Sequence, residues 1–383
     1  MTQRIRDLIP QPIDVLAVGE PTHLEPVFGE VRNHLFTQLV ELGFRSIALE
    51  TDRIAAYAVN DYVLHGIGDL DAVMRDGFSH NFGALEPNRR LVAWMRAYNQ
   101  GRPPEERVVF HGFDAPTENT SAPSPRRYLE YVRDYLGIDD LDIAGVAGDD
   151  ERWSRDEAIL DYTQSMGATP EAERLRLIGE DLLTKLYARA PELIATTSRD
   201  EWWRAKAYAD AGLGLLHYHW QAAQPLEQSD RINLLLTTRD TVMARNLRDI
   251  RAVEAERGPT MVFAHNLHLQ RSTSAWSMGD KSANWYGAGA IVDSMRIGQY
   301  VFIAGSLGRS DALKLDEPEP GSYEGWLQNR LTDWGLVPAG EVPKARVRGE
   351  APHGYFPLDQ ATIDGADAIL HITGRSGGSA SSE

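Results

Sequence analysis

Four segments of this chain end an apolar run in groups that can move protons. They are Gly19-Glu20-Pro21-Thr22-His23, Glu50-Thr51-Asp52, His111-Gly112-Phe113-Asp114 and His265-Asn266-Leu267-His268. A carboxylate beside an imidazole makes a base whose tautomer and charge are set by its neighbour. Glu20 with His23 is such a pair, able to take a proton from water, a step that contributes ~10²–10⁴-fold in general acid–base catalysis. His265 is a second imidazole that could orient the water or protonate a leaving group. The chain has no cysteine and no evident activated serine, so direct attack by water is favoured over an acyl-enzyme. The competing reading is a metal site, since His23, His265, His268, Glu20 and Glu50 are all possible ligands. Against it, no pair of them has the i, i+4 spacing of a helical metalloprotease.

Each segment also has a bland reading. Thr22, Asp52 or Asp114 after a strand can simply cap a helix, and a lone strand-end histidine is more often structural than catalytic. What points to a site is their joint occurrence at what should be one edge. Arg32 adds to it, lying on the apolar stripe of Phe28, Val31, Leu35, Phe36, Leu39 and Val40. A guanidinium there is costly to bury unpaired. It is either half of a structural ion pair with Glu20 or Glu50, or a positive charge for an anionic intermediate or a substrate carbonyl.

The elements that must position these groups are short buried runs at residues 13–18, 46–49, 107–110, 259–264 and 300–304, bounded by Gly, Pro or Asp. Runs of this kind separated by helices imply an α/β fold, a mainly parallel central sheet covered on both faces. Ligands then bind beyond the carboxyl ends of the strands. Residues 124–251 hold no convincing strand and read as an inserted helical lobe, with Trp153, Trp202, Trp203 and Trp220 scattered through it. Residues 1–372 are expected to form a single catalytic domain, and the Gly/Ser-rich tail 373–383 to be disordered.

The length of 383 residues with 42% hydrophobic and 25% charged content suits a chain with a sizeable core. A formal charge of −17 argues against a nucleic-acid backbone or an anionic membrane as partner. The absence of cysteine removes disulfides, Fe–S clusters and Cys-based zinc sites. No apolar run reaches transmembrane length and the first eleven residues lack a signal-type core, so a soluble, cytoplasmic protein is expected. Gly374-Arg375-Ser376-Gly377-Gly378 spells G-x-S-x-G but lacks the strand and helix of a nucleophile elbow. Without a P-loop or a usable G-x-G-x-x-G, no nucleotide cofactor is supported; no cofactor and no resident metal are expected.

At these residues the chain resembles the erythromycin esterase family. The matching segments are Gly19–His23 with Arg32, Ile47-Ala48-Leu49-Glu50, Val59-Asn60-Asp61-Tyr62-Val63, Trp94 with Arg96-Ala97-Tyr98-Asn99, and Gly112-Phe113-Asp114. Further on come Arg239-Asp240 with Met243 and Asn246, Ala264-His265-Asn266-Leu267-His268, and Met278-Gly279. The resemblance implies an α/β fold with a helical lobe and a cleft between them. It also implies macrolactone ester hydrolysis by a histidine-activated water, without a required metal. His23 would be the general base and Glu20 its orienting carboxylate, with Glu50, Arg32 and His265 as further active-site groups. The chain departs from the family at Leu24, where Gly is usual, at Pro21, and along Gly77-Phe78-Ser79-His80-Asn81-Phe82. That stretch should line the cleft, and His80 within it is either a further active-site group or only a surface loop residue; the expected substrate contacts are His268, Asn266, His80, Phe78, Phe82 and Asp114. The expected partner is a bulky small molecule, a macrolide or another natural product. Two rival readings remain open. The same base could drive cyclisation, acyl transfer or dehydration of a substrate hydroxyl, or the protein could sequester a ligand such as haem through His111, His217 or His219.

Overall fold

The computed structural model describes residues 5–8, 12–278, 281–349 and 351–374; all but the first two residues of the expected 373–383 tail lie outside them. All five expected runs are strands: β1 (Val15–Glu20), β2 (Ser46–Asp52), β3 (Val109–Asp114), β4 (Thr260–His265) and β7 (Tyr300–Leu307). Four further strands lie outside the expected set: the antiparallel hairpin β5 (Thr273–Met278) and β6 (Lys281–Tyr286), then β8 (Trp334–Pro338) and β9 (Ala368–Ile372). β8 contains Gly335 and ends at Pro338, and the hairpin is rich in Ser, so neither shows the unbroken apolar run that marks a central strand.

The main sheet has the order β3-β2-β4-β1-β7-β9-β8, parallel except for β8 against β9. Every residue of β1, β2, β4 and β7 is buried, as expected where helices cover both faces. Side chains alternate between two cores. Leu16 and Val18 of β1 pack with Phe28, Leu35 and Phe36 of α1 (Pro26–Glu41) on one face. Val15 and Ala17 pack with Phe302 and with Met243, Leu247 and Ile250 on the other.

Those last three belong to a long helix that also closes the lobe. In chain order the helices that matter are α1, α2 (Ala56–His65), α3 (Glu86–Asn99), α4 (Arg126–Tyr135), α5 (Pro170–Ala188), α6 (Arg199–Ala222) and α7 (Gln228–Glu254). Between Asp114 and Thr260 there is no strand among the described residues. Helices α4, α5 and α6 share a core of their own that includes Leu129, Leu175, Leu182, Leu216, Trp153 and Trp202. The lobe is thus an α-helical layer, and the second half of α7 carries it onto the sheet.

Candidate active site

β3, β2, β4 and β1 are neighbours in the sheet, so their carboxyl ends bring the polar segments to one edge. Glu20 ends β1, and the chain turns at once, the Thr22 hydroxyl accepting the Leu24 amide at 3.2 Å. This turn sets the His23 ring back against Glu20, with Nδ1 2.7 Å from Oε1. The other ring nitrogen, Nε2, lies 3.6 Å from Glu50 Oε1. Burial would lower the His23 pKa, but the charges of Glu50 and Glu20 outweigh it and raise it to about 10. Burial raises Glu20 above the usual carboxylate range despite its imidazole partner.

Glu50 ties three strands and a helix together. One oxygen accepts the backbone N–H of His265 at 2.8 Å. The other accepts Arg239 Nη2 at 3.0 Å and lies 3.3 Å from His268 Nε2. Burial alone would raise its pKa; the positive His268 and His23 hold it well below the ordinary value. Arg239, from α7, also grips Asp114 at the end of β3 through Nε at 2.9 Å and Nη2 at 2.6 Å. Asp114, fully buried, is held down to about 2 by Arg239 and His80 against its desolvation.

The histidine that ends β4 and the one three residues beyond it differ in charge. His268 Nδ1 meets Asp240 at 2.9 Å, and burial is outweighed by Asp240 and Glu50, raising its pKa to about 10. His265 is pushed down to about 3, by burial first and by the charge of His23 second. It is therefore neutral at physiological pH. The Leu267 amide donates to its Nδ1 at 3.2 Å, which requires the neutral ring to carry its proton on Nε2. That Nε2 is buried without a well-formed hydrogen bond among the described residues, although the Pro21 carbonyl acts on the ring as a backbone acceptor. The ring stands edge-on to His23 with centroids 5.3 Å apart, and Phe356 closes its other side at 4.9 Å.

Arg32 is buried, as its place on the stripe required, but its hydrogen-bond partners are amides. Nη1 donates to Asn88 Oδ1 at 2.8 Å, and Nε and Nη2 donate to Asn33 Oδ1. Neither Glu20 nor Glu50 pairs with it directly; Glu20 acts on it through space. Asn88 comes from α3, behind the 77–82 stretch, which is pinned to the end of β2 through Ser79. Its amide donates to Thr51 Oγ1 at 2.8 Å, and its hydroxyl accepts the Asp52 amide at 2.9 Å.

A cavity opens beside His23, lined by Glu20, Glu50, Arg32, Phe78, Phe82 and Phe263 among others. Of the expected substrate contacts, only Phe78 and Phe82 line it. The Phe82 ring is 5.1 Å from that of His23. His80 sits just outside, its Nε2 3.1 Å from Asp114 and its Nδ1 2.8 Å from Glu118. Asp114 and His268 are consumed in the network behind Glu50. Asn266 is a clasp: its side chain donates to the Gly305 carbonyl at 2.8 Å and accepts the Gly305 amide at 2.9 Å, crossing over β1. It can do so only because position 19 is glycine, where a Cβ would fall 2.1 Å from Asn266 Oδ1. None of the cavity-lining residues comes from 124–251, so this cavity lies within the α/β core and not in the core–lobe cleft that the resemblance implied.

Among the described residues no group of three or more His, Asp or Glu has the arrangement of a metal site. His111 is engaged by Glu254 at 2.8 Å, His219 is buried with Nε2 3.1 Å from the Pro123 carbonyl, and His217 pairs with Gln221 on α6. No helix among the described residues is long and apolar enough to cross a membrane.

The erythromycin esterase family model matches residues 39–370. The chain belongs to the erythromycin esterase family. Curated proteins give no match. Among solved structures, a succinoglycan biosynthesis protein is 18% identical with a TM-score of 0.69, covering 96% of this chain and 89% of its own. A Bacillus cereus protein is 17% identical (TM-score 0.68; 96% and 90% covered). A mutant of an erythromycin esterase in its open conformation is 17% identical (TM-score 0.67; 95% and 91% covered). At these identities the likeness is one of fold, an α/β sheet with a helical lobe. Family membership makes this an esterase-like hydrolase.

For this family member, sequence reasoning gave no part to Arg239, Asp240 or Asn88. Arg239 and Asp240 appeared only among the matching segments. A signal was available for Arg239: it stands four and eight residues before Met243 and Leu247, on the stripe that α7 buries. A guanidinium on that stripe is as costly to bury unpaired as one at Arg32. Asp240 organises the other side, accepting the Trp285 indole N–H and the Ala288 amide, both at 2.7 Å, as well as His268.

Proposed function

We propose that the protein hydrolyses an ester or macrolactone of a bulky small molecule by attack of water activated at His23, with no metal required. The observation that carries this is the Glu20-held ring of His23 on the wall of a cavity, set edge-on beside the neutral ring of His265. In the neutral form of His23, Glu20 accepts the Nδ1 proton and leaves the Nε2 lone pair free. Nε2 removes a proton from water as the water oxygen bonds to the ester carbonyl carbon. The carbonyl π pair moves to its oxygen, and that oxyanion receives the His265 N–H. The C–O bond to the alcohol then breaks, and the departing alkoxide takes the proton from His23, leaving acid and alcohol. Glu50 holds the His265 backbone and steadies the imidazolium formed midway.

The test is an ester panel that includes erythromycin, run in ¹⁸O-labelled water with and without prior EDTA dialysis. One labelled oxygen in the acid product and unchanged turnover after EDTA are expected. Unlabelled product would instead mean transfer to a substrate hydroxyl. His23→Ala should lower kcat by ~10²–10⁴ while the fold persists. Turnover surviving within a few-fold would assign the base elsewhere.

A further inference from the structure

Arg32 is a buried cation that meets no carboxylate. It is 2% exposed and lines the cavity beside His23. Its three hydrogen bonds go to the neutral amides of Asn88 and Asn33. A guanidinium has five N–H donors, so two are without a hydrogen-bond partner among the described residues. Among those residues, too, no carboxylate oxygen lies within 4.0 Å of it, and Glu20 acts only at a distance. Burial pulls Arg32 down to about 10, still charged at neutral pH. The carboxylates of the cavity have partners of their own: Glu20 has His23, Glu50 has Arg239, and Glu25 accepts the Ser310 hydroxyl. Much of the remaining wall is apolar, with Leu49, Phe78, Phe82, Leu85, Pro87 and Phe263. A buried positive fork with spare donors, on the wall of a partly apolar cavity, matches the two oxygens of a planar anion.

We propose that Arg32 receives a carboxylate carried by the substrate, so that the preferred esters are half-esters of dicarboxylic acids with a short apolar spacer. The ester half of this assignment rests on the hydrolase reading above; the anion half does not.

The test compares p-nitrophenyl glutarate monoester with p-nitrophenyl pentanoate, alongside calorimetric titration of glutarate itself. The wild-type protein should bind glutarate and favour the anionic ester in kcat/KM by about 10–100-fold, the range of a charge-assisted hydrogen-bonded contact. Arg32→Gln should lose both the preference and the glutarate heat. Asn33→Asp should do the same by setting a carboxylate on the guanidinium from a half-buried position, and it decides the matter if Arg32→Gln does not fold by circular dichroism. Equal hydrolysis of both esters without glutarate binding overturns the subsite and leaves the hydrolase reading intact. Arg32-dependent glutarate binding without hydrolysis of either ester does the reverse. Glutarate binding unaltered in Asn33→Asp also overturns the subsite.

Discussion

Because two carboxylates raise His23 to about 10, the base of the proposed reaction is mostly protonated at neutral pH. At pH 7 its free form is about one part in a thousand, growing tenfold per pH unit until pH nears the pKa. After subtraction of the alkaline blank, kcat/KM for a good ester should therefore climb steadily from pH 6 to 9 and level off near 10. Glu20→Gln sharpens the test. Glutamine keeps an oxygen to accept the Nδ1 proton 2.7 Å away but removes its charge, and loss of a neighbouring carboxylate lowers a partner's pKa by ~1–3 units. The whole rising limb should move down by that amount, so the variant loses less at pH 7 than at pH 10. The assay is a stopped pH series on the wild-type protein and the variant with one substrate. A profile flat from pH 6 to 9 would refute the reasoning. It would point to a group already ionised there, and Glu50, held far below the ordinary carboxylate range, is the one in place.

Three further outcomes follow from the same structure. Gly19→Ala should break the Asn266 clasp, since the new Cβ would fall 2.1 Å from Oδ1 and 3.3 Å from the Asn266 Cα; a loss of ~1–3 kcal/mol in denaturant unfolding is expected, and an unchanged midpoint would deny the clasp. Arg239→Met should cost ~3–5 kcal/mol by stranding the buried Asp114 charge, whereas a melting temperature within a degree or two would mean that His80 alone satisfies it. Stability should peak near the unfolded imidazole pKa of ~6.5. His23, His80 and His268 are raised to about 10, 9 and 10, so their contribution is complete below the unfolded value and fades as pH rises through 9 to 10. His265 and His219, at about 3 and 4, must fold neutral, so stability falls as pH drops below the unfolded value. A melting temperature that increases all the way from pH 6.5 to 10 would contradict this.

The sheet was legible because parallel strands buried on both faces write themselves as unbroken apolar runs, as at β1 and β4. β8 and the β5–β6 hairpin were not, since an edge strand with one wet face needs no such run. The convergence of Glu20, His23, Glu50 and His265 followed from strand polarity alone, which places every strand end of a parallel sheet on the same rim. Which group pairs with which lay beyond that reasoning. Arg239 meets Glu50 and Asp114 across separations of 189 and 125 positions, and a stripe on α7 announces a buried cation without naming its anion.

The same limit explains why the expected substrate contacts largely fell behind the cavity instead of within it. The wall is built by the 77–82 stretch folding back beneath β2, with His80 and Asn81 in the left-handed region at φ 55° and 58° and Ser79 bonded to Thr51 and Asp52. Left-handed backbone at two successive non-glycine residues is unfavourable in isolation, so those bonds, with the His80 contacts to Asp114 and Glu118, must hold it. The cavity then owes its shape to the charge network behind it: Arg239 fixes Asp114, Asp114 fixes His80, and His80 fixes the turn that presents Phe82 to His23. Under the proposed function, substrate preference and protonation state would share one connected set of side chains, and a change at Arg239 should be felt in both.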